Sequence, residues 1–349
     1  MKLLKLTFKI LSVLLLSAAL ILGSIVASSI YLSKELQFES VEETEERFGN
    51  FKEGEIIKKE KVGFIKHFVL STAGLFIKRY EALRNVNIYS IAYKSDGLVV
   101  TGIMLSPKEE GNFPCIIYNR GGNRDAGRLS FSQLNKFMAP YAAEGYVVIA
   151  SNYRGNSGSE GKEEFGGADV NDILNLIPAL SQVEKADTSR IGVLGHSRGG
   201  MMTYKALQNK QVFKAAVVIA GSANLYKTIS RRPEMEKYVY AEIIPAFNEK
   251  RDELIKDRSV VYWPEKLSKT PLLILHGTGD DRVSYDVADE LSNKLDSLSF
   301  PYKFITYTGD NHVLDKNRDE AQDNIKAWFN KYLKDEKPYN ESEKRVTYP

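Results

Sequence analysis

The sequence predicts an α/β fold built on a doubly wound, mostly parallel sheet. Short Val, Ile and Leu runs lack polar alternation, as strands buried on both faces do. They alternate with segments of helical apolar spacing, the rhythm of parallel strands joined by crossover helices. A hairpin signal stands ahead of that series.

The hairpin comes first in the chain. Runs 86–93 and 98–105 flank Lys94-Ser95-Asp96-Gly97, a turn sequence of hairpin type. A short apolar run at 115–119 follows, then helical spacing over 131–144 and a β-branched strand at 146–151. A helix at 169–183 precedes a strand at 190–194, and another helix follows Gly199. Strands are expected at 215–220, 272–275 and 302–307, with helices at 285–298 and 319–333. The charged stretch from Ser222 to Trp263 interrupts the rhythm. It reads as a helical cap insertion, about 222–266, over the carboxyl edge of the sheet. The polar residues 336–349 read as a frayed tail.

The amino terminus differs in kind. Lys2, Lys5 and Lys9 precede an uncharged run, 10–32, that as a helix would span about 34 Å, enough to cross a bilayer. Six glutamates follow between Glu35 and Glu46, so the positive-inside rule places the amino terminus in the cytoplasm and everything after the run outside. An uncleaved membrane helix over residues 1–33 is favoured on length. The rival is a cleaved signal peptide, for which Ser17-Ala18-Ala19 and Ile25-Val26-Ala27 offer poor sites. Residues 34–84 read as an acidic spacer followed by an apolar-periodic segment, and residues 85–335 as the α/β domain.

Composition narrows the chemistry. With 48 basic and 45 acidic side chains, net charge +3, nothing points to a nucleic-acid partner. Cys115 is the only cysteine, which excludes an intrachain disulfide and a cysteine-rich zinc site.

The strongest motif is Gly195-His196-Ser197-Arg198-Gly199, between a strand and a helix. A G-x-S-x-G serine in that context sits on a strained turn at a helix amino terminus, where free N–H groups stabilise developing negative charge. A serine hydroxyl needs a base. Of the four histidines, His67 lies before the sheet, His196 adjoins the serine, and His276 is expected to fix a strand-end turn. That leaves His312, in the loop Thr308-Gly309-Asp310-Asn311-His312 after the last expected strand. Asp280 and Asp281 both lie where the orienting acid belongs, and spacing does not choose between them. Asp310 is assigned to a turn. The backbone N–H of Arg198 would supply one oxyanion donor, and the Gly121-Gly122 loop the second. The cluster from Tyr153 to Gly161 reads as a rim loop of the site.

These pieces carry a resemblance. The matching motifs are Asn119-Arg120-Gly121-Gly122, Asn152-Tyr153-Arg154-Gly155, the serine elbow, His276-Gly277-Thr278-Gly279-Asp280-Asp281-Arg282-Val283 and Gly309-Asp310-Asn311-His312. From about 86 to 333 the chain resembles the catalytic domain of the prolyl oligopeptidase family of serine peptidases, within the α/β-hydrolases. The resemblance implies the α/β-hydrolase fold, Ser197 as nucleophile, His312 as base and Asp280, the first aspartate of its motif, as acid. No metal or organic cofactor is implied. There are two departures: some fifty residues precede the hairpin, too few for the family's β-propeller, and Arg120 stands where relatives often have histidine. The expected activity is hydrolysis of an amide or ester in a peptide or other small substrate. A peptidase is favoured, a carboxylesterase is second, and an inactive surface binding module is the reading from another class.

Overall fold

The computed structural model describes residues 51–62, 78–209, 212–340 and 344–349, together with Gly23 and Ser342. The expected membrane helix and His67 lie outside the described residues, among which no helix is long and apolar enough to cross a membrane.

Ten strands form one sheet: β1 (Ile56–Lys61), β2 (Val86–Ser95), β3 (Leu98–Pro107), β4 (Phe113–Asn119), β5 (Val147–Ser151), β6 (Ala186–His196), β7 (Phe213–Ile219), β8 (Leu272–Gly277), β9 (Tyr302–Tyr307) and β10 (Arg345–Tyr348). Their order is β1-β2-β3-β5-β4-β6-β7-β8-β9-β10. β1, β2, β3 and β5 pair antiparallel, and every later pairing is parallel. The hairpin turns through Asp96 (φ 51°) and Gly97 (φ 76°), the double positive φ of a two-residue turn that follows strand twist.

Consecutive residues of the central strands enter opposite layers of core. Ile117, Val193, Val218 and Ile274 pack on one face, and Ile116, Leu194, Val217 and Leu273 on the other. Such strands have no solvent face, hence their unbroken apolar runs.

Two expected helices are divided. The segment at 131–144 forms α1 (Phe131–Phe137) and α2 (Ala139–Ala142), with Pro140 in the first turn of the second piece. The segment at 169–183 forms α3 (Val170–Leu174) and α4 (Leu176–Leu180), which contains Pro178. A proline lacks the N–H that would continue the ladder and crowds the preceding turn. The elbow serine leads into α5 (Arg198–Asn209).

The insertion holds α6 (Leu225–Arg231), α7 (Pro233–Met235), α8 (Ala241–Ile243) and α9 (Arg251–Asp257), with a π-type turn at Glu236–Tyr240. The helical cap expected here is therefore broken into short pieces. α10 (Tyr285–Ser297) and α11 (Arg318–Phe329) complete the layers.

The ends of the sheet correct two expectations. The spacer closes as β1 on β2, and the tail, expected to fray, contributes β10 parallel to β9, with Tyr348 stacked on Tyr307 at 5.5 Å between ring centroids. Each is an edge strand whose exposed polar side chains hide its pairing in the sequence.

Candidate active site

Because β4, β6, β8 and β9 run parallel, the loops after Asn119, His196, Gly277 and Tyr307 leave the same edge of the sheet. Ser197, Asp280, His312, Gly121 and Gly122 lie on those four loops, and Arg198 opens α5 directly after the serine.

Ser197 has φ 58°, the strained backbone expected of the elbow. Its N–H donates to Ile219 O at 2.9 Å, and its carbonyl accepts from Gly200 N at 2.9 Å. Gly199 is required by crowding, since a methyl group there would collide with the Asn119 carbonyl. Arg198 opens α5, a twelve-residue helix whose first N–H groups have no partner within the helix.

His312 Nδ1 donates to Asp280 Oδ2 at 2.8 Å, and Asp281 is exposed. Of the two aspartates that spacing left open, Asp280, the one the resemblance implied, is in contact with the imidazole. Asp280 Oδ1 accepts from Arg282 N at 2.8 Å and Val283 N at 3.0 Å. Burial alone would raise the Asp280 pKa, but hydrogen bonds from His276 and His312 hold it well below the usual carboxylate range. The carboxylate is thus fixed and charged beside the imidazole.

The other two described histidines hold this arrangement in place. His276 Nε2 donates to Val283 O at 2.8 Å and lies 3.1 Å from Asp280 Oδ2, so it braces the turn that carries the acid. His196 Nε2 donates to His312 O at 3.1 Å, and the two ring centroids are 4.9 Å apart. The residue before the serine therefore grips the residue carrying the base. Asp310 plays the turn role expected of it, accepting from Asn311 N, Lys316 N and Asn317 N at 2.8, 3.2 and 3.0 Å.

Burial, reinforced by His312, lowers the His196 pKa from 6.5 to about 3. The folded state keeps this ring neutral while the unfolded chain protonates it. Stability from this source is complete above about pH 6.5 and is lost as the pH falls toward about 3. The expected slope is about 1.4 kcal/mol per pH unit inside that window. The slope should flatten in His196→Asn, measured by urea unfolding from about pH 7 to about pH 5. Asp169, pushed up to about 6, titrates in the same range with the opposite sign, so the comparison between proteins decides: the same pH dependence in wild type and His196→Asn would refute the assignment. Asp280 adds its own loss only at lower pH, below the ordinary carboxylate range.

Beneath the elbow lies a buried ionic cluster that the sequence does not announce. Arg198, 3% exposed at its side chain, pairs with Asp169 at 2.5 Å and with Glu163. Burial and the adjacent Asp172 push Asp169 up to about 6, while burial and the adjacent Arg120 pull Arg198 down to about 9, leaving both ionised at neutral pH. Glu163 also accepts from Arg124 N at 2.7 Å and Asn156 Nδ2 at 3.2 Å, tying the loop after β4 to the rim loop. Arg154 of the rim is locked to Asp172 at 2.7 Å. Arg120 is fully buried and forks onto Asn152 O at 3.0 and 2.5 Å. Isolated charges spaced along a sequence read as surface, so nothing pointed to these pairs.

A cleft of about 580 Å³ opens beside the elbow, lined by Arg124, Asn156, Glu163, Glu164, Glu242 and Ile244 among others. The rim loop and cap thus meet the loop after β4, as their expected places implied. None of the lining residues is Ser197, Asp280 or His312; Glu163, paired with Arg198, connects the cleft to the elbow. Among the described residues no group of His, Cys, Asp and Glu is placed to hold a metal ion. Cys115 is buried, its thiol pushed up to about 12 by burial and by Asp187, which leaves it inert.

Comparison with known proteins agrees with this geometry. The chain is 30% identical over 230 residues to YtmA of Bacillus subtilis, described as an uncharacterised peptidase; the match covers 66% of this chain and 87% of that protein. It is 29% identical over 257 residues to a second uncharacterised peptidase of that organism, YuxL, across 68% of this chain but 38% of the relative. An acylaminoacyl peptidase of Pyrococcus horikoshii superposes with TM-score 0.65 at 23% identity, covering 77% of this chain and 44% of that one, and shares the fold. The chain thus spans less than half the length of the last two. The profile of the prolyl oligopeptidase family matches residues 130–336, a span that holds Ser197, Asp280 and His312 but begins after the Gly121-Gly122 loop. On this match, and on the similarity to YtmA, the chain belongs to the prolyl oligopeptidase family of serine hydrolases.

Proposed function

We propose that the protein is a serine peptidase that cleaves an amide bond of short peptides through an acyl-enzyme at Ser197. The observation that carries this reading is the His312–Asp280 hydrogen bond of 2.8 Å, on loops that leave the same sheet edge as a serine held at φ 58°. With Nδ1 committed to Asp280, the His312 Nε2 is the nitrogen that takes the Ser197 proton as Oγ attacks the carbonyl carbon. Asp280 stabilises the resulting imidazolium. The tetrahedral oxyanion is held by the N–H of Arg198 and by the Gly121-Gly122 loop. His312 then returns the proton to the leaving amine, and water, deprotonated by the same imidazole, releases the acyl group.

One observation favours peptides: the similar proteins named above are peptidases. A panel of aminoacyl, N-acetylaminoacyl and dipeptidyl naphthylamides set against short acyl nitrophenyl esters tests it. Turnover of the amides is expected; cleavage of esters alone would make the protein a carboxylesterase. An inactive binding module would label with no fluorophosphonate probe.

The proposal places the catalytic domain outside the cytoplasm, anchored by the uncharged run at 10–32. Alkaline carbonate should leave the full chain in the membrane pellet, and its quantitative release would overturn the anchor.

A further inference from the structure

Three consecutive carbonyls of the loop after β4 are each held by a buried side chain. Tyr153 Oη donates to Arg120 O at 3.2 Å, Arg120 Nη1 to Gly121 O at 3.3 Å, and Arg198 Nη1 to Gly122 O at 3.1 Å. The three donors form one stack, with the Arg120 and Arg198 guanidinium carbons 4.6 and 5.1 Å from the centroid of the Tyr153 ring. Neither arginine can swing away, because Arg120 forks onto Asn152 O and Arg198 is pinned by Asp169 and Glu163. Tyr153 is itself held at φ 65°, its N–H donating to Ser151 Oγ at 2.9 Å.

In a trans peptide the carbonyl and the following N–H point in opposite directions, and no peptide bond among the described residues is cis. With their carbonyls drawn to the stack, the N–H groups of Gly121, Gly122 and Asn123 must face away from it. None of them donates a hydrogen bond to a described residue. The loop also borders the elbow: a Cβ on Gly121 would lie 3.0 Å from His196 O and 3.1 Å from Ser197 Cβ. Free donors, a fixed direction and an adjacent nucleophile are what an oxyanion site requires.

We infer that Tyr153, Arg120 and Arg198 are positioning residues that aim the N–H groups of residues 121–123 at the oxyanion formed during acyl transfer. The inference rests on the acyl-transfer reading above. It gives Arg120 a task that does not require it to reach substrate: its cation polarises and orients the peptide plane whose N–H does the stabilising. Arg198 serves twice, by backbone as a donor and by side chain as an aligner of the other donors.

The test uses the full chain, with p-nitrophenyl acetate as substrate and an alkyl trifluoromethyl ketone as the ligand whose addition product carries the oxyanion. Loss of a whole oxyanion donor costs about 10²–10³ in kcat. Tilted donors in Arg120→Met and Tyr153→Phe should cost about tenfold or more, with KM changed less than about twofold. The ketone should bind weaker by the same factor as kcat falls, and Arg120→Lys should recover part of both. A folded variant with unaltered kcat and ketone affinity overturns the inference. So does a loss confined to KM. Should Arg120→Met fail to fold, Tyr153→Phe, which removes one oxygen atom, decides on the same criterion. Ser197→Ala run alongside separates the two claims. Activity surviving there refutes the nucleophile, whereas its loss beside fully active Tyr153→Phe and Arg120→Met enzymes refutes the alignment alone.

Discussion

Ser197→Ala is expected to lower kcat by about a thousandfold or more while leaving the fold intact. The hydroxyl accounts for none of the strand, elbow or core contacts. The backbone bonds of residue 197 to Ile219 and Gly200 survive any side chain that tolerates φ 58°. Alanine therefore removes the atom that attacks and little else. Turnover of the preferred substrate, labelling by a fluorophosphonate probe and the thermal midpoint are the three readings. Loss of turnover and labelling at an unchanged midpoint is the expected pattern. A variant keeping a tenth of its activity would mean that another group attacks the substrate.

Asp280→Asn should cost about 10⁴ in kcat, through tautomer rather than through structure. The asparagine oxygen can still accept from Arg282 N and Val283 N, so the turn survives. Its amide nitrogen would face His312 Nδ1, which must then accept a hydrogen bond instead of donating one. The ring proton moves to Nε2, where it blocks acceptance from Ser197. The negative charge that stabilises the imidazolium also disappears. Asp281→Asn is the matched control; its side chain is exposed, and an effect within about twofold is expected. Equal losses in the two variants would remove Asp280 from the mechanism.

The central strands and the elbow were legible because burial on both faces leaves a compositional mark. Runs such as those within β5 and β7 have nowhere to place a polar side chain. The edge strands were not legible. Ile56–Lys61 reads as charged spacer, because only pairing with β2, thirty residues on, makes it a strand. The two divided helices follow from Pro140 and Pro178, whose effect on apolar periodicity is slight though their effect on the backbone is decisive. Serine and histidine emerged by motif and elimination, whereas spacing left two neighbouring aspartates open and only the family resemblance pointed to Asp280. Arg120, Glu163 and Asp169 gave no sign of burial, since their partners lie on other loops.

The parallel sheet also fixes when activity can begin. In the mechanism proposed above the attacking group is made at position 197 of 349, its acid at 280, and its proton acceptor only at 312, on the loop that follows β9. A chain growing from its amino end carries the elbow for more than a hundred residues before it can use it. Interrupted synthesis or a cut ahead of β9 yields fragments with a serine but no means to ionise it. Competence therefore arrives in one step, late, and only in molecules whose carboxyl-terminal third has taken its place.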